Sequence, residues 1–173
     1  DCCRSARRLG AKDVKVVVNV SPLSGERANV RKVLPDVKHI IAIASGKGGV
    51  GKSTLSPHIA GYFSSRGHAV MLGDADRQQS SRLWLGLRPP NASVIQTWDI
   101  NADLIARPPR GTTHVVVDTP AGLHGWRFKD VMKMADKVIV PVQPSVFDIF
   151  ATRAFLDELA ANKHADKHKI ALG

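Results

Sequence analysis

Apolar residues in this chain gather in short unbroken blocks rather than in long amphipathic stripes. The blocks are Ile40-Ile41-Ala42-Ile43-Ala44, Ala69-Val70-Met71-Leu72, Val115-Val116-Val117, Val138-Ile139-Val140 and Ile170-Ala171-Leu172. Continuous β-branched runs of this length are expected of strands buried on both faces of a sheet. Helix-compatible segments lie between them, from about Ser53 to Arg66, from Gln78 to Leu85, and from a cap at Ser145 to Asn162. The last of these puts Phe147, Phe150, Ala151, Ala154, Phe155 and Leu159 on one side, which predicts a core-facing stripe. Strands alternating with helices predict an α/β fold, a doubly wound, mostly parallel sheet flanked by helices. A further apolar run, Val14 to Val20, precedes a turn at Ser21-Pro22-Leu23-Ser24-Gly25. The Pro-rich, polar stretch from Leu87 to Arg110 predicts no element, and the chain has no internal repeat.

Composition narrows this picture. The 173 residues suit one domain, long enough to bury a core without disulfide or metal staples. Residues 1–39 hold nine Lys/Arg against four Asp/Glu, and residues 40–173 hold 16 against 11, so each part carries +5 of the formal +10. The reading is a basic arm over residues 1–38 and a folded domain over 39–173. The excess charge points to an anionic partner without naming one. No apolar run approaches the ~18 residues a membrane helix needs. The basic first 20 residues do not resemble a secretory signal. Cys2 and Cys3 are adjacent, which fits neither a zinc site nor a disulfide framework, and a reducing cytoplasm is the expected setting. Trp84, Trp98 and Trp126 read as core or interface residues. His164 and His168, four apart, read as part of an exposed basic end.

The strongest chemical signal is Gly46-Lys47-Gly48-Gly49-Val50-Gly51-Lys52-Ser53, which matches GxxxxGKS between a predicted strand and a predicted helix. Glycines let backbone N–H groups wrap a phosphate, and the positive end of the following helix faces the same anion. Lys52 is placed to reach β- and γ-phosphates, and the Ser53 hydroxyl to ligate Mg²⁺. Asp118 ends a strand, where a carboxylate can hold Mg²⁺. Asp118-Thr119-Pro120-Ala121-Gly122 reads DxxG, so the Gly122 N–H is expected near the γ-phosphate. Asp74 is assigned a place near the metal and Asp76 the orientation of an attacking water. The competing reading for each carboxylate is a helix or turn cap.

These residues resemble the deviant Walker A motif of the ParA/MinD ATPases, here Lys47 to Thr54. Gly73-Asp74-Ala75-Asp76-Arg77-Gln78-Gln79-Ser80 is similar to their switch I, with Arg77 where Pro is common. Asp118 to Gly122 is similar to their Walker B and switch II, and Ala135 to Ser145 to the strand and loop that follow. The resemblance spans about residues 39–172. It implies a P-loop fold whose C-terminal end is short, ATP as the nucleotide, and Mg²⁺ dependence. It also implies an ATP-dependent homodimer in which Lys47 reaches across to the partner's phosphates. The implied function is positioning or segregating DNA or cellular cargo, as in plasmid partition, with non-specific DNA and a ParB-like or other activator as partners. The implied location is the cytoplasm, at the nucleoid if DNA binding holds. Asp13 to Thr54 resembles the Mrp/ApbC branch instead, which implies an iron–sulfur carrier as one alternative. That role needs a late CxxC, and no cysteine follows Cys3. A MinD-like division-site regulator is the other, and it needs an amphipathic C-terminal helix. The tail from Asn162 to Gly173 has few large apolar residues, so no membrane anchor is evident.

Overall fold

A computed structural model describes residues 36–100, 109–122, 134–161 and 169–172. Residues 1–35 of the basic arm, with the Val14–Val20 run, Cys2 and Cys3, and Trp126, His164 and His168 lie outside these residues. The elements in chain order are β1 (His39–Ile43), α1 (Lys52–Ser65), β2 (Val70–Asp74), α2 (Ser80–Gly86), β3 (Ile95–Trp98), β4 (His114–Asp118), β5 (Lys137–Val140), α3 (Val146–Ala161) and β6 (Lys169–Leu172). The strands form one sheet in the order β3-β2-β4-β1-β5-β6, and every pairing is parallel.

The sheet is buried on both faces because its strands alternate apolar side chains to either side. On one face Ile41, Ile43, Val70, Leu72 and Val116 pack with Ala60 of α1. On the other, Ala42, Ala44, Val138 and Val140 meet Phe155 and Leu159 of α3. Ile40, Met71, Val115 and Val117 pack there with Trp98 and Ile100. Helices cover both faces, so the fold is doubly wound, as the apolar blocks predict.

Two features differ from the sequence reading. The stretch from Leu87 to Arg110 contains an edge strand, β3, paired to β2 from Val70↔Ile95 to Gly73↔Trp98. The Ser64 hydroxyl of α1 fixes its approach by donating to the Val94 carbonyl at 2.8 Å. The helix α3 forms as expected but buries only the later part of the expected stripe, Phe155 and Leu159. Phe147 and Phe150 are 80% and 66% exposed, whereas Asp148 and Thr152 are buried with Phe155 and Leu159. The reason lies at its first turn. Ser145 accepts the Asp148 N–H at 3.2 Å, and the Asp148 carboxylate is drawn inward by its own partners.

The N-terminal edge of the sheet carries a stack of imidazoles. His39 of β1 and His114 of β4 are register partners with ring centroids 4.9 Å apart. His68 lies 4.2 Å from His114, and Phe63 of α1 lies 4.6 Å from it. Nδ1 of His114 is 2.9 Å from the Thr113 hydroxyl. Burial, reinforced by His68, His39 and Lys38, lowers His114 from 6.5 to about 4. The unfolded chain therefore takes up this proton before the folded one. His114's contribution is complete above about pH 6.5 and is lost as pH falls toward 4. We expect urea midpoints, followed by circular dichroism, to fall as pH drops through that window, by on the order of 3 kcal/mol of stability at the limit. The substitution His114→Phe should flatten that dependence.

Candidate active site at the C-terminal edge of the sheet

The loop from Ala44 to Gly51 joins the central strand to α1. Gly49 and Gly51 lie at φ 78° and 91°, left-handed values that side chains rarely tolerate. The Gly51 carbonyl accepts the N–H groups of Thr54 and Leu55 at 3.1 and 2.9 Å, which starts the helix. Three further contacts hold the loop in shape. The Ser45 hydroxyl donates to the Lys47 carbonyl at 2.7 Å. The Gln143 side chain donates to the Gly49 carbonyl at 3.0 Å, and the Gly122 N–H to the Ser45 carbonyl at 3.3 Å. Gly46 sits against α3 so closely that a Cβ there would lie 2.8 Å from the Ala151 carbonyl oxygen and 2.9 Å from Cβ of Phe155.

The charged residues converge where β1, β2 and β4 end. Lys52 is buried, and its ammonium donates to the Ser45 hydroxyl at 2.9 Å. Burial pulls its pKa down, and Asp118 and Asp76 oppose that by favouring the charged form. Asp118 is fully buried at the end of β4. Burial pushes its carboxyl up, while Ser81, Ser53 and Lys52 hold it back and Asp74 adds to the rise. Oδ2 of Asp118 accepts the Ser81 hydroxyl at 2.7 Å, and Oδ1 has no hydrogen-bond partner.

Asp74, the register partner of Asp118, is differently placed. Its carboxylate accepts the N–H groups of Asp76, Ser81 and Arg82 at 3.1, 2.9 and 3.1 Å. It is the cap of the segment that leads into α2, the competing role weighed for it above. Asp76 accepts the Gln78 N–H at 3.0 Å and also faces the cleft.

That cleft encloses about 680 Å³. Gly48, Gly49 and Gly51 to Thr54 form one wall, Asp76 and Arg77 another, and Pro120 and Ala121 a third. Val50 turns into the core. A divalent cation suits the donor set: the buried Asp118 carboxyl, whose Oδ1 accepts no hydrogen bond of normal geometry, and the Ser53 side chain that interacts with it. Mg²⁺ keeps several waters and takes one or two carboxylates plus substrate phosphates. Among the described residues no group of three His, Cys, Asp or Glu is placed to hold a metal, so a dedicated all-protein cage is absent there.

Lys47 stands apart from Lys52. Its ammonium lies 3.0 Å from Oδ1 of Asp148 in the same chain, with nearly half of its side chain exposed. Hydrogen bonds from Ser145 first, then Lys47, hold the Asp148 carboxyl below the usual range. The structure thus lines the cleft with Lys52, Ser53 and Asp76, sets the buried Asp118 against Lys52 and Ser53, and pairs Lys47 with Asp148. Sequence reasoning gave no site role to Ser45, Ser81, Gln143 or Asp148. Of these only Asp148 left a signal, the Ser145-x-x-Asp148 spacing of a helix start.

Comparison with known proteins agrees with this geometry. The model of the CobQ/CobB/MinD/ParA nucleotide binding domain matches residues 41–165. The chain is 32% identical over 140 residues to the maintenance of carboxysome distribution protein A of Halothiobacillus neapolitanus, covering 76% of this chain and 63% of that one. It is 59% identical over 46 residues to the iron-sulfur cluster carrier protein of Aquifex aeolicus, covering 27% of this chain and 13% of that one. Among solved structures, MinD in the MinC:MinD cell division complex of Aquifex aeolicus superposes with a TM-score of 0.59 at 25% identity, over 78% of this chain and 67% of that chain. The chain therefore spans less than two thirds of the length of either curated relative.

The Gly46 contact yields a test independent of phosphate chemistry. Gly46→Ala should push α3 from the loop and cost about 1–3 kcal/mol, as overpacking does. Thermal melts without nucleotide read that cost directly.

Proposed function

This chain belongs to the CobQ/CobB/MinD/ParA nucleotide binding family, and on that premise we propose that it is a Mg²⁺-dependent ATPase working through an ATP-closed homodimer. The observation that carries the reading is a glycine-walled cleft at the strand ends lined by Lys52, Ser53 and Asp76, with the buried Asp118 carboxylate interacting with Lys52 and Ser53.

In this reading backbone N–H groups between Gly46 and Thr54, with the N-terminus of α1, receive the phosphates. Lys52 exchanges Ser45 for the β- and γ-phosphates. Ser53 and Asp118 hold Mg²⁺, which when bound offsets charge on the transferring phosphoryl group. Asp76 orients the attacking water from its place in the cleft, with Asp74 fixing the backbone that carries it. Gly122 is the donor that trades the Ser45 carbonyl for a γ-phosphate. Lys47 leaves Asp148 and supplies its charge to the partner protomer's phosphates, a cation given in trans.

The cycle serves to position DNA or a protein cargo, with an activator protein stimulating hydrolysis. The carboxysome-distribution relative and the +10 charge support that role. The local identity to an iron–sulfur carrier covers a short segment, and cysteines occur only at positions 2 and 3.

Sizing chromatography with ATP and Mg²⁺, run beside a phosphate-release assay, tests the mechanism. Lys52→Ala should abolish turnover. Lys47→Ala should lose the ATP-dependent dimer and turnover while still binding nucleotide as a monomer. An unaltered Lys47→Ala protein would sink the sandwich. DNA binding is tested separately by affinity against salt. If the basic excess serves DNA, affinity should drop by roughly 10-fold or more between 50 and 200 mM salt, as multiple phosphate contacts require. A flat profile removes DNA as partner.

A further inference from the structure

Ser81 joins the two acidic residues that the proposed mechanism treats separately. Its N–H donates to Oδ2 of Asp74 at 2.9 Å, and its hydroxyl donates to Oδ2 of Asp118 at 2.7 Å. It is fully buried, so water cannot stand in for either bond. A serine hydroxyl has one proton to give. Spent on Oδ2, it leaves Oδ1, which accepts no hydrogen bond of normal geometry, on a carboxyl that the Ser53 side chain also holds. Remove the hydroxyl, and neither oxygen is distinguished by this contact. The carboxylate can then turn about its side-chain torsion, whose well is broad for this group.

We propose that Ser81 is a positioning residue for the divalent cation, holding Asp118 so that Oδ1 is reserved for it. The inference rests on the Mg²⁺-dependent nucleotide reading above. It adds a consequence for the neighbouring segment. Ser81 lies in the first turn of α2, two residues after Gln79, which has the one positive φ among the described non-glycine residues, 50°. Asp76 precedes that residue and is tied to it through the Gln79 N–H bond to the Asp76 carbonyl at 3.2 Å. Ser81 therefore meets the metal carboxylate through its hydroxyl and, through its N–H, the Asp74 carboxylate that also accepts the Asp76 N–H.

The test is a Mg²⁺ titration of binding of a fluorescent ATP analogue to the full chain, beside binding in EDTA and thermal melts. Ser81→Ala should raise the half-saturating Mg²⁺ concentration about 10-fold, the usual scale for residues that orient metal ligands. Binding in EDTA should stay within about twofold of wild type, because the phosphate loop is untouched. Ser81→Thr keeps the hydroxyl and Ser81→Val matches its shape without it, so this pair separates the bond from packing even if Ser81→Ala folds poorly. S81T should retain tight Mg²⁺ dependence and S81V lose it. Equal half-saturation in S81T and S81V, or a melting loss in S81A with wild-type Mg²⁺ dependence, overturns the inference and leaves Ser81 a structural pin. A wild-type protein whose nucleotide binding ignores Mg²⁺ overturns the underlying reading instead.

Discussion

One buried carboxylate organises the C-terminal edge of this sheet. Asp118 ends the strand that runs between β1 and β2, and none of it reaches solvent. An ion withdrawn from water costs several kcal/mol unless partners replace the lost hydration. Those partners come from two different parts of the chain, Lys52 and Ser53 from the first turn of α1 and Ser81 from α2, while the strand neighbour Asp74 is a like charge that works against them. Each must stand where the carboxylate needs it, so one charge sets the placement of two helix starts and a strand end. The loop chemistry follows from that arrangement, since α1 can begin at Lys52 only if the glycines before it turn sharply.

The parts that were legible in the sequence are those that chain-local physics determines. The blocks at Ile40, Val70, Val115 and Val138 are uninterrupted because both faces of a central parallel strand are covered. The glycine spacing reads as a phosphate loop for the same reason: it reflects backbone geometry within eight residues. β3 escaped because an edge strand needs little apolar sequence. In Ile95-Gln96-Thr97-Trp98 only the last side chain is buried. Its partner β2, not its own composition, makes it a strand.

Side-chain pairings between distant segments were not legible. Ser81 and Asp118 are 37 residues apart, and nothing in either neighbourhood announces the bond. The same holds for Lys47 and Asp148. That ion pair also explains the misread helix. Periodicity assigns the aromatic side of α3 to the core, but the carboxylate bound to Lys47 and Ser145 turns the polar side toward the loop. Hydrophobic patterning describes a helix against an apolar face. It fails where a helix begins beside a site that must stay polar.

The strand order carries a consequence for how the chain is made. β1 is the earliest strand described, yet its neighbours are β4 and β5, not β2. Its first pairing joins His39 to His114, and its other edge waits for Lys137 to Ile139. A ribosome delivering residues in order therefore releases the apolar run around Ile41 long before either flank exists. Closing such distant parallel pairs is entropically slow. The glycine loop that follows β1 cannot take its final shape until then. The segment that defines the site is thus synthesised early and completed late, and it is the stretch a chaperone has most reason to shield during translation.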